Sequence, residues 1–285
     1  MSTFFRALIL FFLVSTVGYS QDKPAYQIFN AKGKRVKYKN VLKEAAGADM
    51  FFFGELHNNA IAHWLQIELT QDLGKQRELI LGAEMFEADN QEELSQYLDG
   101  KIDAKALDTL ARLWPNYKTD YAPLVDYAKD NNLSFIATNI PRRYANLVYR
   151  QGFEALDTLT AEEKSWIAPL PIDYDPEVPS YKAMLTMMGD HASPTMPMAQ
   201  ASKDATMAHF INKNFEDGKL FIHYNGSYHS DDKEGIIWHL KRLNPDLKIV
   251  TITTVEEGDN SQLKEEYHDK ADFIIVVDEN VTHTY

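Results

Sequence analysis

The 285-residue sequence contains no cysteine. It therefore has no disulfide, no thiolate metal ligand, no cysteine nucleophile and no cysteine to carry a lipid at the start of a processed chain. Positive charge is scarce as well: 29 Lys and Arg stand against 42 Asp and Glu, a formal net charge of −13. Such a protein repels a phosphate backbone as a whole, so nucleic acid is not an expected partner. The clearest local basic spot is Arg142-Arg143 with Arg150. No low-complexity tract interrupts a globular composition of 45% hydrophobic and 25% charged residues. A long apolar run is missing too. Ala7 to Val14, behind Arg6, is too short for a bilayer, which takes roughly 18 or more apolar residues. With the small-residue exit Gly18-Tyr19-Ser20, it reads as a signal peptide over residues 1–20. The expectation is an exported protein, periplasmic or extracellular and at most peripheral at the cell envelope, with no integral membrane segment once the leader is removed. Residues 21–285 are expected to form one domain.

Short apolar runs punctuate that domain. Tyr26 to Phe29 and Val36 to Tyr38 flank Lys32-Gly33-Lys34 and predict a hairpin, read as a lid at one edge. Val41 to Ala46 predicts a short helix, and Met50 to Phe53 the first core strand. Ile61, Trp64, Leu65 and Leu69 recur at helical spacing through Leu73, and Glu78 to Ala83 follows as a second core strand. Further runs at Leu133 to Ala137, Leu220 to His223, Ile249 to Ile252 and Phe273 to Val277 alternate with helical patterns. The predicted fold class is α/β, a mainly parallel sheet with helices on both faces, an N-terminal β-hairpin and a helical insertion over about 141–214. The loop Met184 to Gln200 carries five methionines beside His191, Gly189, Pro194 and Pro197. It suits either an apolar cover over a pocket or simple filling of a long connection.

Each core strand is followed by polar residues that a connection does not need. Gly54-Glu55-Leu56-His57 follows the first and Glu84 with Glu87 the second. Asn139, Pro141, Arg142 and Arg143 follow the third, and Asn225, Gly226 and His229 the run from Leu220. In an open parallel sheet the C-terminal strand ends share one edge, so residues far apart in sequence converge there. Glu55, His57, Glu84 and His229 are the candidates to hold a divalent metal or to act as acid and base around a water, with Asn139 and Asn225 lining the same pocket. The other histidines lack a partner at ligand spacing. His63, six residues beyond His57, is assigned to packing, and His209, His239, His268 and His283 to structural or solvated roles.

The segments GELHNNAIAHWLQ (Gly54–Gln66), GAEMFEADNQEELSQYL (Gly82–Leu98), YAPLVDYAKDNNLSFIATNIPRR (Tyr121–Arg143), AQASKDATMAHFI (Ala199–Ile211) and NGSYHS (Asn225–Ser230) occur in one order. In this the chain resembles the ChaN family of haem-binding uptake proteins, in a superfamily with the Tiki proteases and erythromycin esterases. The resemblance covers roughly Met50 to Ile252. It implies an α/β sheet with a helical subdomain, haem as cofactor, a role in haem or iron uptake, and a homodimer in which two haems stack. It also implies a tyrosine as axial iron ligand, for which Tyr144, Tyr149 and Tyr181 are the expectation, with Arg142 and Arg143 on the propionates. Relatives are often lipoproteins anchored through a modified cysteine, which this chain lacks. Because the GELH region is shared across the superfamily, a metal-dependent protease- or esterase-like hydrolase stays open. So does a scaffolding domain in which these residues only brace the sheet edge.

Overall fold

A computed structural model describes residues 23–187 and 193–285; the expected signal peptide and residues 188–192 of the methionine-rich loop lie outside them. The strands are β1 (Tyr26–Asn30), β2 (Arg35–Val36), β3 (Met50–Glu55), β4 (Leu79–Glu87), β5 (Phe135–Asn139), β6 (Leu220–Gly226), β7 (Ile249–Glu257) and β8 (Phe273–Asp278). The helices are α1 (Tyr38–Ala46), α2 (Ala60–Gly74), α3 (Gln91–Leu98), α4 (Ala104–Leu110), α5 (Ala122–Asp130), α6 (Arg142–Gln151), α7 (Ala161–Lys164), α8 (Pro179–Met187), α9 (Met196–Asn214) and α10 (Ile236–Leu243). One sheet runs β2-β1-β8-β7-β3-β6-β4-β5. Strands β3 to β8 are mutually parallel where they pair, while β1 runs antiparallel to β8 and β2 to β1. The hairpin thus continues the sheet, with β1 paired on both sides and β2 at the edge, and is not a lid. Its backbone bonds to the free edge of β8, which would otherwise be left unpaired.

The apolar runs split between two layers with a period of two, as a sheet covered on both faces requires. On one face Phe51, Phe53, Leu79, Leu81, Leu220 and Ile222 meet Val41, Leu65, Leu69, Leu124 and Val125 from α1, α2 and α5. On the other, Met50, Phe52, Ile80 and Phe221 meet Met207, Ala208, Ile211, Ile236 and Leu240 from α9 and α10. The C-terminal half of α9 is therefore also a covering layer of the sheet. Between β5 and β6 no strand intervenes among the described residues, in line with the helical reading of that stretch.

The strands outrun their apolar cores. β3 continues through Gly54 and Glu55 because its parallel partner extends the ladder, with Gly54 opposite Asn225 and Glu55 opposite Gly226, whereas β4 runs on past a bulge after Ala83 until Glu87 pairs with Asn139. β4 is wedged against β6 by Gly82, where a β-carbon would fall 2.9 Å from the Phe221 ring. Overpacking of a tight core of this kind costs about 1–3 kcal/mol. Gly82→Ala should lower stability by that amount, read as a lower urea midpoint with an unchanged m-value.

Candidate functional site

The chain leaves β3 in one direction through α2 to β4, then returns through β6, which inserts between β3 and β4, before reaching β7 on the far side of β3. A reversal of this kind opens a crevice at the carboxyl ends of the strands. Alternation then sends the two strand-end carboxylates to opposite faces. Glu55 shares the face of Phe51 and Phe53, whereas Glu84 shares that of Ile80. Two polar networks result.

The first is built on Glu55, which is 1% exposed. Its Oε1 accepts from His57 Nδ1 (2.8 Å) and from the Tyr121 hydroxyl (2.7 Å), and its Oε2 accepts from Gln66. His63 Nδ1 lies 3.6 Å from Oε2 and His63 Nε2 3.4 Å from Asp120 Oδ2. Asn116 donates to Asp120 (2.7 Å) and to the His57 carbonyl (3.1 Å), and His63 Nε2 lies 3.0 Å from that same carbonyl. His57 stands in the turn before α2, whose N-cap is Asn59, so helical spacing does not separate it from His63: the turn folds back over the first helical turn. Burial pushes the Tyr121 hydroxyl upward, and the Glu55 charge adds to it, which keeps Tyr121 a proton donor.

The second network joins Glu84 to the helical layer. Its Oε2 accepts from the Gly226 amide (2.7 Å) and its Oε1 lies 3.2 Å from His229 Nε2. His229 Nδ1 meets Asp204 Oδ1 at 2.5 Å, and Asp204 Oδ2 accepts from the Tyr181 hydroxyl (2.9 Å), which lies 3.3 Å from His239 Nε2. Burial alone would lower His229, but the two carboxylates outweigh it and raise it well above the ordinary imidazole range. Burial would likewise raise Glu84; the imidazoles of His229 and His57 and the Gly226 amide hold it well below the usual carboxylate range.

The two networks meet over Gly226. A β-carbon there would lie 2.7 Å from His57 Nε2 and 3.5 Å from Glu84 Oε2, so only glycine lets the His57 ring lie across the strand end. With Nδ1 held by Glu55, His57 turns Nε2 toward the cleft; its side chain is 33% exposed, while those of Glu55, Glu84 and His229 are buried. Burial pulls its pKa down, yet Glu55 and Glu84 together leave it raised. The Trp114 ring stands edge-on, 4.9 Å away. The cleft has a volume of about 1050 Å³, and its walls include Leu113, Trp114, Ile140, Arg142, Lys203 and Tyr228.

Glu55, His57, Glu84, His229 and Asn139 all line this cleft. Asn139 donates to the Glu84 carbonyl (2.9 Å). Asn225 is fully buried beneath it, bracing the turn after β6 through Ser230 Oγ (2.9 Å). Arg142 lines the cleft with no ion-pair partner among the described residues. Arg143 lines it too, but bonds Asp89 (2.6 Å) and lies over the Tyr144 ring. Tyr144, Tyr149 and Tyr181 are not among the lining residues: Tyr144 donates to Glu163, Tyr149 is exposed on α6, and Tyr181 is committed to Asp204. The expected metal centre is not found, since among the described residues no group of three or more His, Asp and Glu side chains is arranged to hold an ion. The acids instead pair with imidazoles. Sequence reasoning also passed over Gln66, His63, Tyr121 and Asp204, although each sits in one of the segments quoted above. The available signal was a polar residue placed where a helix buries its apolar stripe.

A family model described as haem-binding uptake, Tiki superfamily, ChaN, matches residues 41–240. The chain belongs to the ChaN family. The structure of Campylobacter jejuni ChaN, solved for its cofacial haem binding, superposes with a TM-score of 0.66 at 17% identity, covering 88% of this chain and 96% of that one. A Bacillus cereus protein of solved structure gives 0.50 at 13% identity, over 84% and 90%. At these identities the likeness concerns the ChaN fold alone. In sequence, the chain is 26% identical over 169 residues to the Arabidopsis thaliana chloroplastic protein RETICULATA-RELATED 5, covering 54% of this chain but only 23% of that protein. Among the described residues no helix is long and apolar enough to cross a membrane.

Two outcomes check this geometry. Gly226→Ala should displace the His57 ring and bring its pKa down toward ~6.5, measured by NMR titration. His229→Gln should cost about 3–5 kcal/mol near pH 6, because it leaves Asp204 and Glu84 buried without their cation. The folded His229 pKa lies above its unfolded value, so this stabilisation is complete below pH ~6.5 and fades as pH rises through the folded value. Denaturant unfolding should accordingly show a smaller mutational cost at high pH.

Proposed function

We propose that this chain is an exported haem-binding protein of haem or iron uptake, with the strand-end cleft as its haem site. The observation that carries the reading is the make-up of that cleft. Leu113, Trp114, Pro115 and Ile140 supply an apolar wall, and Arg142 and Lys203 stand on the rim without a carboxylate partner among the described residues. Arg112 and Arg143 differ, because both are tied to Asp89. A flat apolar macrocycle with two carboxylates suits this combination, and the volume lies just above the ~300–1,000 Å³ common for cofactor sites. Arg142 and Lys203 would hold the propionates, Arg142 through paired N–H groups.

The tyrosines that line the cleft are Tyr228 and Tyr285. The Tyr228 hydroxyl donates to the Ser180 carbonyl (2.6 Å) and, through burial and then the charges of Asp204 and Glu234, is pushed up to about 12. Tyr285 has no such bond among the described residues. Export is supported by Arg6 and the apolar run behind it. Pairing of two copies around the ligand belongs to the same proposal and would register as hemin-dependent dimerisation in ultracentrifugation.

One observation favours a second reading, hydrolysis. An imidazole whose Nδ1 is fixed by a buried carboxylate and whose Nε2 faces a cleft is arranged as a general base. It predicts ester or peptide turnover abolished by His57→Ala.

The test of the first reading is titration with hemin. A saturable Soret shift is expected, and Arg142→Ala and Lys203→Ala should each weaken binding roughly tenfold or more, about 1.5–3 kcal/mol for each charge-assisted bond lost. Absence of a shift in the intact chain would overturn the reading.

A further inference from the structure

The last residues of the chain do not trail into solvent. His283 forms an antiparallel bridge with Asn59, and the Thr284 amide donates to the Asn58 carbonyl (2.9 Å). The His283 ring lies between Asn58 Nδ2 and Glu256 Oε1, 3.2 Å from each, and Asn59 Nδ2 donates to that same carboxylate oxygen (2.6 Å). The Thr284 hydroxyl donates to Asp120 Oδ2 (2.8 Å), the acid that also bonds Asn116 and faces His63. These contacts tie the segment to the turn carrying His57 and to the network around Glu55. They end at Tyr285, a residue that is 68% exposed yet lines the cleft with His57 and Trp114.

A residue left this open contributes little to folding, because it removes little apolar surface from water. Two anchored residues leading to it, His283 and Thr284, are therefore better explained by what the ring meets when the cleft is filled. We propose that residues 282–285 are a strap that walls the mouth of the cleft, and that Tyr285 is a ligand-contacting residue laying its ring against a planar aromatic ligand. The proposal rests on the haem-cleft reading for the ligand, whereas the strap itself is independent of it. Thr284 and His283 are positioning residues, acting through the backbone of Asn58 and Asn59.

The test uses the full chain, with hemin as the probe. Tyr285→Ala should weaken hemin binding about two- to tenfold, the range of an aromatic contact beyond simple burial, with an unchanged melting temperature. Tyr285→Phe separates ring from hydroxyl: near-native binding assigns the contact to the ring, and loss assigns it to the oxygen. Hemin affinity of Tyr285→Ala equal to that of the unaltered chain would overturn the ligand contact. A second measurement needs no ligand. Removal of residues 282–285 should raise the rate at which diethylpyrocarbonate modifies His57, read by mass spectrometry, and an unchanged rate would overturn the strap. If the unaltered chain binds no hemin while His57 modification still rises, the haem reading fails and the strap stands.

Discussion

A carboxylate removed from water must find its donors within the protein, and Glu55 finds them on three separate segments. The turn after β3 gives His57, α2 gives Gln66, and the residue before α5 gives Tyr121. An uncompensated charge in that position costs several kcal/mol, so the segments are held together as strongly as by an apolar contact. The rest of the site follows from this. Glu55 fixes His57 through Nδ1, His57 leaves Nε2 to the cleft, and the close passage of that ring over the strand end admits only glycine at 226.

The second network is the counterpart on the opposite face of the sheet. Glu84, His229 and Asp204 form an alternating chain of charges that ties β4 and the turn after β6 to α9. Its members are almost wholly buried, so it joins the helical layer to the sheet edge while His57 alone is presented to a ligand. Glu84 also acts through space on His57, which couples the two faces at the point where they approach. The cleft thus has a rigid polar floor under an apolar wall and a cationic rim, an arrangement that favours a flat, largely apolar anion.

Much of this was legible in the sequence because strands and their ends carry different chemistry. Apolar runs closing on Glu55, Glu84, Asn139 and Asn225 predicted a parallel sheet with polar residues on one edge, and the parallel register brings Glu55, His57, Glu84 and His229 into one cleft. The division of those residues between two faces was not legible, since it depends on the parity of each position and on a bulge in β4 between Ala83 and Glu87. His63 was assigned to packing, whereas His57 precedes the helix and the turn between them brings the two together. Tyr121 and Asp204 were missed because one precedes α5 and the other lies on α9, and only the folded chain defines how those segments approach the strand ends. The N-terminal hairpin was recognised as an element but not as part of the sheet, a pairing that no local pattern encodes.

The proposed ligand site is the cleft at the strand ends. Crystals of the hemin complex, measured at the iron absorption edge, test this most directly. An anomalous peak is predicted above Gly226, between the Trp114 wall and the Arg142 and Lys203 rim. A peak elsewhere on the protein, with the cleft empty, would contradict it.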